Sequence, residues 1–143
     1  MCHQAGWWLP HEPRSIRQAR RLVAEQFGAW GVTGLDDAVP AVADLGLVAS
    51  ELVTNAVKFS TGAVGLSVGA HRERLEVTVT DNNDDTARAR LPDGHSLGGR
   101  GLPLVDAFSQ QWGQDRRVGG GKTVWAYVGL TGKSVLRQAC RFP

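Results

Sequence analysis

Three polar side chains near the middle of the chain have types and spacing suited to phosphate chemistry. Glu51, Asn55 and Lys58 are four and three residues apart, so they share one face if the segment is a helix. A carboxylate can take a proton from an attacking hydroxyl, an amide oxygen can bind Mg²⁺, and an ammonium neutralises phosphate. The same spacing is also typical of a solvated helix face that carries an incidental ion pair.

A further candidate is Asp81, which ends a segment where Leu75, Val77 and Val79 alternate with polar residues. Alternate side chains of a strand share a face, so the carboxylate of Asp81 is predicted to point toward the core. A buried carboxylate needs hydrogen-bond donors. An adenine amino group would supply them, and so would backbone amides of the Asn82–Asn83 turn.

Glycines cluster in the segment 98–101, directly before a predicted short helix with Pro103 in its first turn. Glycines let the backbone approach a ligand closely, and the amides at a helix N-terminus attract anions. The cluster is therefore a candidate phosphate contact. A flexible turn is the alternative interpretation.

The segment 121–123, Gly-Lys-Thr, has the last letters of a Walker A loop. The full pattern needs a glycine five residues before Gly121, where this chain has Arg116, and it needs a helix next, where this chain has a predicted strand. The segment 132–134, Gly-Lys-Ser, fails in the same way. We interpret Gly119–Gly121 as a hairpin turn that brings Thr123 to the cleft formed by the candidate residues above.

Helical and alternating apolar patterns predict the elements that position these residues. One helix has Pro13 in its first turn, and a second, with Pro40 in its first turn, runs to about Phe59. A polar, aperiodic stretch from Asp81 to Gly99 is predicted to be a functional lid. The remaining predicted elements are an edge strand at 6–9, strands at 64–68 and 75–79, a helix at 102–109, and strands near 111–112 and at 123–128.

Composition narrows the class of protein. The chain has 143 residues, 42% of them hydrophobic, which predicts one globular domain over 1–143 with a core at about 9–130 and a short tail at 131–143. The elements predict an α+β two-layer sandwich, with helices on one face of a mixed, mostly antiparallel sheet. A net charge of +2 gives no argument for nucleic acid or a membrane as a partner. Cys2 and Cys140 are interpreted as free thiols, which favours a cytoplasmic location.

In their order along the chain, these segments resemble the N, G1, G2 and G3 motifs of the GHKL ATPases, which have the Bergerat fold. The four segments begin at Glu51, Asp81, Gly99 and Gly121, and the resemblance extends from Leu9 to about Leu130. Within that superfamily, the strings SELVTNAV at 50–57 and GRGL at 99–102 are similar to the anti-sigma-factor serine kinases. The resemblance implies binding of ATP with Mg²⁺.

The resemblance also implies roles for individual residues. It makes Glu51 the general base, Asn55 the Mg²⁺ ligand and Asp81 the acceptor for the adenine amino group. Glycines of the G2-like segment would shape the lid hinge and contact phosphate, and Thr123 would support the adenine end. The complete set of residues that it implies for ATP binding is Asn55, Lys58, Asp81, Asn83, Gly99, Arg100, Gly101, Leu102 and Thr123.

Two functions remain open at this point, and a third is disfavoured. The first is a serine/threonine kinase that phosphorylates a small anti-sigma antagonist protein and so regulates a sigma factor, with a homodimer possible. The second is a nucleotide-dependent binding protein with little or no kinase activity, since Asn83 occupies the position of the usual G1 glycine. The third is a histidine-kinase catalytic domain. It is disfavoured because no histidine lies in a helical phosphoacceptor context.

Overall fold

The computed structural model describes residues 3–32, 38–71, 74–83 and 101–130, with only the backbone described at 101 and 102. The helices are α1 (Arg14–Ala29), α2 (Ala38–Phe59) and α3 (Gly101–Phe108), and the strands are β1 (His3–Leu9), β2 (Val64–Ala70), β3 (Arg74–Asp81), β4 (Gln111–Arg116) and β5 (Lys122–Gly129). Most of the predicted lid, the tail at 131–143 and both cysteines lie outside the described residues.

The strands form one five-stranded sheet in the order β1-β2-β3-β5-β4. Every neighbouring pair of these described strands is antiparallel, so they show none of the parallel pairing that a mixed sheet would have. β3 lies at the centre, with β1 at one edge, as predicted, and β4 at the other. The central position of β3 places its last residue, Asp81, next to the first residue of β5.

The helices cover one face of this sheet. The 22-residue helix α2 buries an apolar stripe that includes Leu45, Val48 and Leu52, and it packs against β3, β5, α1 and α3. α1 adds Val23 and Phe27 to the same core. Truncation of such fully buried side chains to alanine costs about 2–5 kcal/mol. The predicted α+β sandwich is confirmed.

The boundaries of α2 and α3 agree closely with the sequence patterns. α2 has Pro40 in its first turn and ends at Phe59, while α3 begins at Gly101, one residue earlier than expected. Among the described residues, no helix has the length and apolar character needed to cross a membrane.

Candidate functional site

Asp81 is buried at the end of the central strand. The side chains of β3 alternate between half-buried and buried, and Leu75, Val77, Val79 and Asp81 form the buried set. The carboxylate therefore lies on the face that the helices cover, with only 5% of the side chain exposed. The predicted orientation of Asp81 toward the core is confirmed.

The partner of this carboxylate is Lys122, the first residue of β5. Antiparallel pairing of β3 with β5 places the two residues directly opposite each other. The Lys122 Nζ atom lies 3.1 Å from both Asp81 Oδ1 and Asp81 Oδ2, and the lysine side chain is 3% exposed. Removal of one member of such a buried pair costs about 3–5 kcal/mol because the other charge is left unpaired.

Gly121 allows β5 to approach the end of β3 this closely. A Cβ atom at this position would lie 2.3 Å from the carbonyl oxygen of Asp81, and the residue has a φ of +86°. The preceding turn is closed by hydrogen bonds from the Arg117 amide to the Gly121 carbonyl and from the Gly120 amide to the Arg117 carbonyl. The predicted hairpin turn is confirmed, and its last glycine allows Lys122 to lie opposite Asp81.

The turn after β3 supplies another donor to the same carboxylate. The Asn83 amide donates to Asp81 Oδ1 at 2.8 Å, so the local backbone contact considered in the sequence is present. No non-glycine residue of the described chain has a positive φ, so the backbone at Asn83 is not left-handed. The aspartate side chain closes the turn, so no glycine-like conformation is needed at Asn83.

Asn82 joins the end of β3 to the chain that leaves α2. Its Oδ1 atom accepts a hydrogen bond from the Thr61 amide at 2.9 Å, and its Nδ2 atom donates to the Thr61 hydroxyl at 3.2 Å. Because Thr61 follows α2 by two residues, the C-terminal end of α2 lies at the same end of the sheet as Asp81.

This connection positions the candidate residues of α2. With a rise of 1.5 Å per residue, Asn55 lies about 6 Å and Glu51 about 12 Å from the last residue of the helix along its axis. Glu51 and Asn55 are half-buried, whereas Lys58 is exposed. The side chains of Glu51 and Asn55 make no hydrogen bond or ion pair with another described residue, whereas the nearby Thr54 hydroxyl bonds back to the Ser50 carbonyl.

α3 lies beside α2 and contacts β4. Val105 anchors α3 in the core, and Asp106 accepts a hydrogen bond from the Trp112 indole at 3.1 Å. Gly99 and Arg100 lie outside the described residues, and the side-chain position of Leu102 is likewise undescribed. The backbone of Gly101 starts α3, so the predicted order of a glycine segment followed by a helix is present.

Comparison with known families decides the superfamily. The pattern of the histidine kinase-, DNA gyrase B- and HSP90-like ATPases matches residues 41–132, well over half of the chain. The chain belongs to this ATPase family. A comparison with curated proteins finds no match.

The family match includes every candidate site residue. It begins in α2 and ends after β5, so Glu51, Asn55, Asp81 and Thr123 all lie within it, while β1 and α1 precede it. Membership implies that this GHKL ATPase domain binds ATP, generally together with Mg²⁺. The roles given to individual residues stay predictions.

The polar groups present fit Mg²⁺ that is held partly by nucleotide. Among the described residues, no group of three or more His, Cys, Asp or Glu side chains could hold a metal ion. Mg²⁺ usually takes one or two protein oxygens together with substrate phosphates and water. The half-buried amide of Asn55 is suited to be such a ligand in this ATPase.

The structure does not bring Thr123 to Asp81. Successive side chains of a strand point to opposite faces, so Thr123 lies on the face away from the helices. There its hydroxyl is 3.2 Å from the hydroxyl of Thr80, its partner across the strands. The hairpin therefore presents Lys122, and not Thr123, on the face that carries Asp81, which corrects the expected position of Thr123.

Lys122 is the residue that the sequence reasoning missed. The sequence signal was that Lys122 shares its strand parity with Val124 and Ala126, and the structure buries all three. The opposite set contains Thr123, Trp125 and Tyr127, which are also large or β-branched, so alternation of apolar character alone does not separate the two faces.

A cavity of about 680 Å³ lies elsewhere, between the end of α3 and the edge strand β4. Asp106, Trp112 and Trp125 are among its lining residues, and no predicted site residue that the structure describes lines it. The cavity therefore gives no support to the site at Asp81, which depends on the buried polar groups described above.

Proposed function

We propose that this ATPase-family chain is a protein serine/threonine kinase of the anti-sigma-factor type. Its substrate would be a small anti-sigma antagonist protein, and phosphorylation of that protein would regulate a sigma factor. A cytoplasmic location and a possible homodimer belong to the same proposal. The observation that carries it is that Glu51 and Asn55 share a face of α2 and that their side chains form no hydrogen bond or ion pair with another described residue. The C-terminal end of α2 lies at the same end of the sheet as Asp81.

The groups on α2 supply what transfer of a phosphoryl group requires. The hydroxyl oxygen of the acceptor serine or threonine forms a bond to the γ-phosphorus as the bond between that phosphorus and the ADP oxygen breaks. Glu51 takes the proton of the hydroxyl, and the products are ADP and the phosphorylated protein. The amide oxygen of Asn55 would hold Mg²⁺, which would neutralise charge on the phosphates.

Asp81 contributes at the other end of the nucleotide. Its carboxylate lies in a desolvated position where a hydrogen bond from the adenine amino group is strong. The backbone amides at the start of α3 are suited to the phosphates, since unsatisfied amides at a helix N-terminus attract anions. Lys58 is exposed near the end of α2 and is available to the same charges.

The test is direct transfer of phosphate. The purified chain is mixed with labelled ATP, Mg²⁺ and an antagonist protein that binds it, and label on a serine or threonine of the partner is followed in a single turnover. Transfer that depends on Glu51 supports the kinase. A chain that binds ATP and its partner but transfers no label contradicts it.

A second function is favoured by one specific observation. Asn83 occupies the position of the usual G1 glycine, and its amide takes one acceptor position of the carboxylate that is proposed to bind adenine. We therefore keep, as the alternative, a nucleotide-dependent protein-binding regulator with little or no kinase activity. In that case ATP changes the affinity for the partner protein, and Glu51→Ala leaves this change intact.

A further inference from the structure

The Asp81–Lys122 pair has hydrogen-bonding capacity left after its internal contacts are counted. A carboxylate has about four acceptor positions and an ammonium has three donors. Asp81 Oδ1 accepts from the Asn83 amide and from Lys122, whereas Oδ2 accepts from Lys122 alone among the described residues. Lys122 Nζ donates to both carboxylate oxygens, which leaves, among the described residues, one acceptor position on Oδ2 and one N–H on Nζ.

The two unused positions lie on neighbouring atoms, since Nζ and Oδ2 are 3.1 Å apart. A ligand that satisfies both must present a donor and an acceptor side by side. Adenine does so, because its amino group lies between two ring nitrogens, N1 and N7, that accept hydrogen bonds.

Separating the pair to bind a base would be costly. Both side chains are at least 95% removed from solvent, so separation would leave two buried charges without a counter-charge. A neutral amino group on the base cannot replace an ammonium as the partner of Asp81. The base must therefore bind to the pair as a unit.

We propose that Lys122 contacts the nucleotide base directly. Asp81 Oδ2 accepts a hydrogen bond from the adenine amino group, while Lys122 Nζ donates to the ring nitrogen beside it. Lys122 is then a determinant of base specificity as well as the counter-charge of Asp81. This inference rests on the proposed binding of ATP and extends it to a residue of β5.

The competing interpretation is that Lys122 only neutralises Asp81. Under that interpretation, loss of Lys122 weakens ATP binding indirectly, because the Asp81 carboxylate is no longer held in place. Lys122 then makes no contact with a ring nitrogen of adenine. The two interpretations differ in whether the effect of removing a ring nitrogen depends on the lysine.

The experiment is calorimetric titration with ATP, 1-deaza-ATP and 7-deaza-ATP, each of the two analogues lacking one ring nitrogen beside the amino group. We expect one analogue to bind the unmodified protein about 10-fold or more weakly than ATP, the usual effect of a lost hydrogen bond to a charged group. Lys122→Met should bind ATP correspondingly weakly and should bind that same analogue no more weakly than it binds ATP.

Two control variants distinguish loss of the contact between Lys122 and the base from loss of folding and from loss of a nearby positive charge. Arg116→Met removes a positive charge from the exposed residue opposite Lys122 on β4, and it should keep the preference for ATP over the analogue. Asp81→Asn/Lys122→Met removes both buried charges, so it gives a folded protein without the pair if Lys122→Met alone is unstable. Thermal unfolding without nucleotide checks each variant.

Two results would overturn the inference. Either both analogues bind the unmodified protein as tightly as ATP, or the weaker binding of an analogue persists in Lys122→Met and in the double variant. Both results require that ATP itself binds. Absence of ATP binding by the unmodified protein contradicts the proposed function instead, so the two failures are distinguishable.

Discussion

The ammonium of Lys122 lies 3.1 Å from each carboxylate oxygen of Asp81, in a position almost closed to solvent at the junction of β3 and β5. The nucleotide-binding candidate at the end of β3 is therefore a paired charge and not a lone acid. A neutral substitution at Asp81 removes one charge and also leaves Lys122 without its counter-charge. Experiments on this site therefore need matched double variants.

Asp81→Asn should weaken ATP binding and also lower stability. Loss of a charge-assisted hydrogen bond to adenine should cost on the order of 1.5–3 kcal/mol of binding free energy. The unpaired Lys122 should cost about 3–5 kcal/mol of unfolding free energy. Calorimetry and urea unfolding measure the two effects.

The double variant Asp81→Asn/Lys122→Met separates these effects. It should recover most of the stability, because no buried charge is left, while its ATP affinity stays low. Equal ATP affinities for Asp81→Asn and the unmodified protein would remove Asp81 from the adenine site.

Gly121→Ala should destabilise the junction between β3 and β5. The added Cβ would lie 2.3 Å from the Asp81 carbonyl oxygen at a φ of +86°, so the loss should be about 2 kcal/mol or more. Gly119→Ala is the matched control, since Gly119 has a φ of +91° but no atom within 4 Å of an added Cβ. It should cost only the backbone strain, about 1–2 kcal/mol. Similar losses of unfolding free energy for both variants would contradict the importance of the close approach.

Glu51→Ala should leave ATP affinity nearly unchanged, because the general base contacts the acceptor hydroxyl and not the nucleotide. Phosphate transfer should fall by roughly 10²–10⁴-fold in single-turnover measurements. Glu25→Ala, at an exposed glutamate of α1, is the control and should transfer at the normal rate. Normal transfer by Glu51→Ala would end the general-base assignment.

Asn55→Ala should behave differently from Glu51→Ala. It removes the proposed Mg²⁺ ligand, so both the Mg²⁺-dependent part of ATP affinity and the rate of transfer should fall. ATP titration with Mg²⁺ and with excess chelator gives the two affinities. If Asn55→Ala shows the same difference in ATP affinity between Mg²⁺ and chelator as the unmodified protein, Asn55 does not bind the metal.

Thr123→Val should leave ATP affinity unchanged, because the side chain lies on the face opposite to Asp81. It removes the hydrogen bond to Thr80, so the unfolding free energy should fall by about 1 kcal/mol. Calorimetric titration with ATP measures the affinity of Thr123→Val, and Lys122→Met is titrated in parallel for comparison. A large loss of affinity in Thr123→Val with little loss in Lys122→Met would restore the original assignment of Thr123.

The parts of the site that were predictable depend on local periodicity. Spacings of four and three place Glu51, Asn55 and Lys58 on one helical face, and alternation places Asp81 on the buried face of β3. The missing Walker A glycine and the strand after Gly121 correctly excluded a P-loop, since β5 follows the turn. Each of these inferences needs only the geometry of a single helix or strand.

The residues joined across the fold were not predictable in the same way. Asn82 bonds to Thr61, 21 residues earlier, and Lys122 pairs with Asp81, 41 residues away. Such contacts depend on which strands are neighbours and on the register between them, and a shift of one residue would exchange Lys122 for Thr123 beside Asp81.

The sequence by itself determined the types of the chemical groups and, for α2 and β3, the faces that these groups occupy. Only the tertiary structure decided that Asp81 has Lys122 as its partner, because that depends on the antiparallel register of β3 and β5. The register in turn depends on Gly121, whose lack of a side chain lets the start of β5 lie against the carbonyl of Asp81. Long-range strand pairing is set by the packing of the whole sheet and not by the local pattern of either strand.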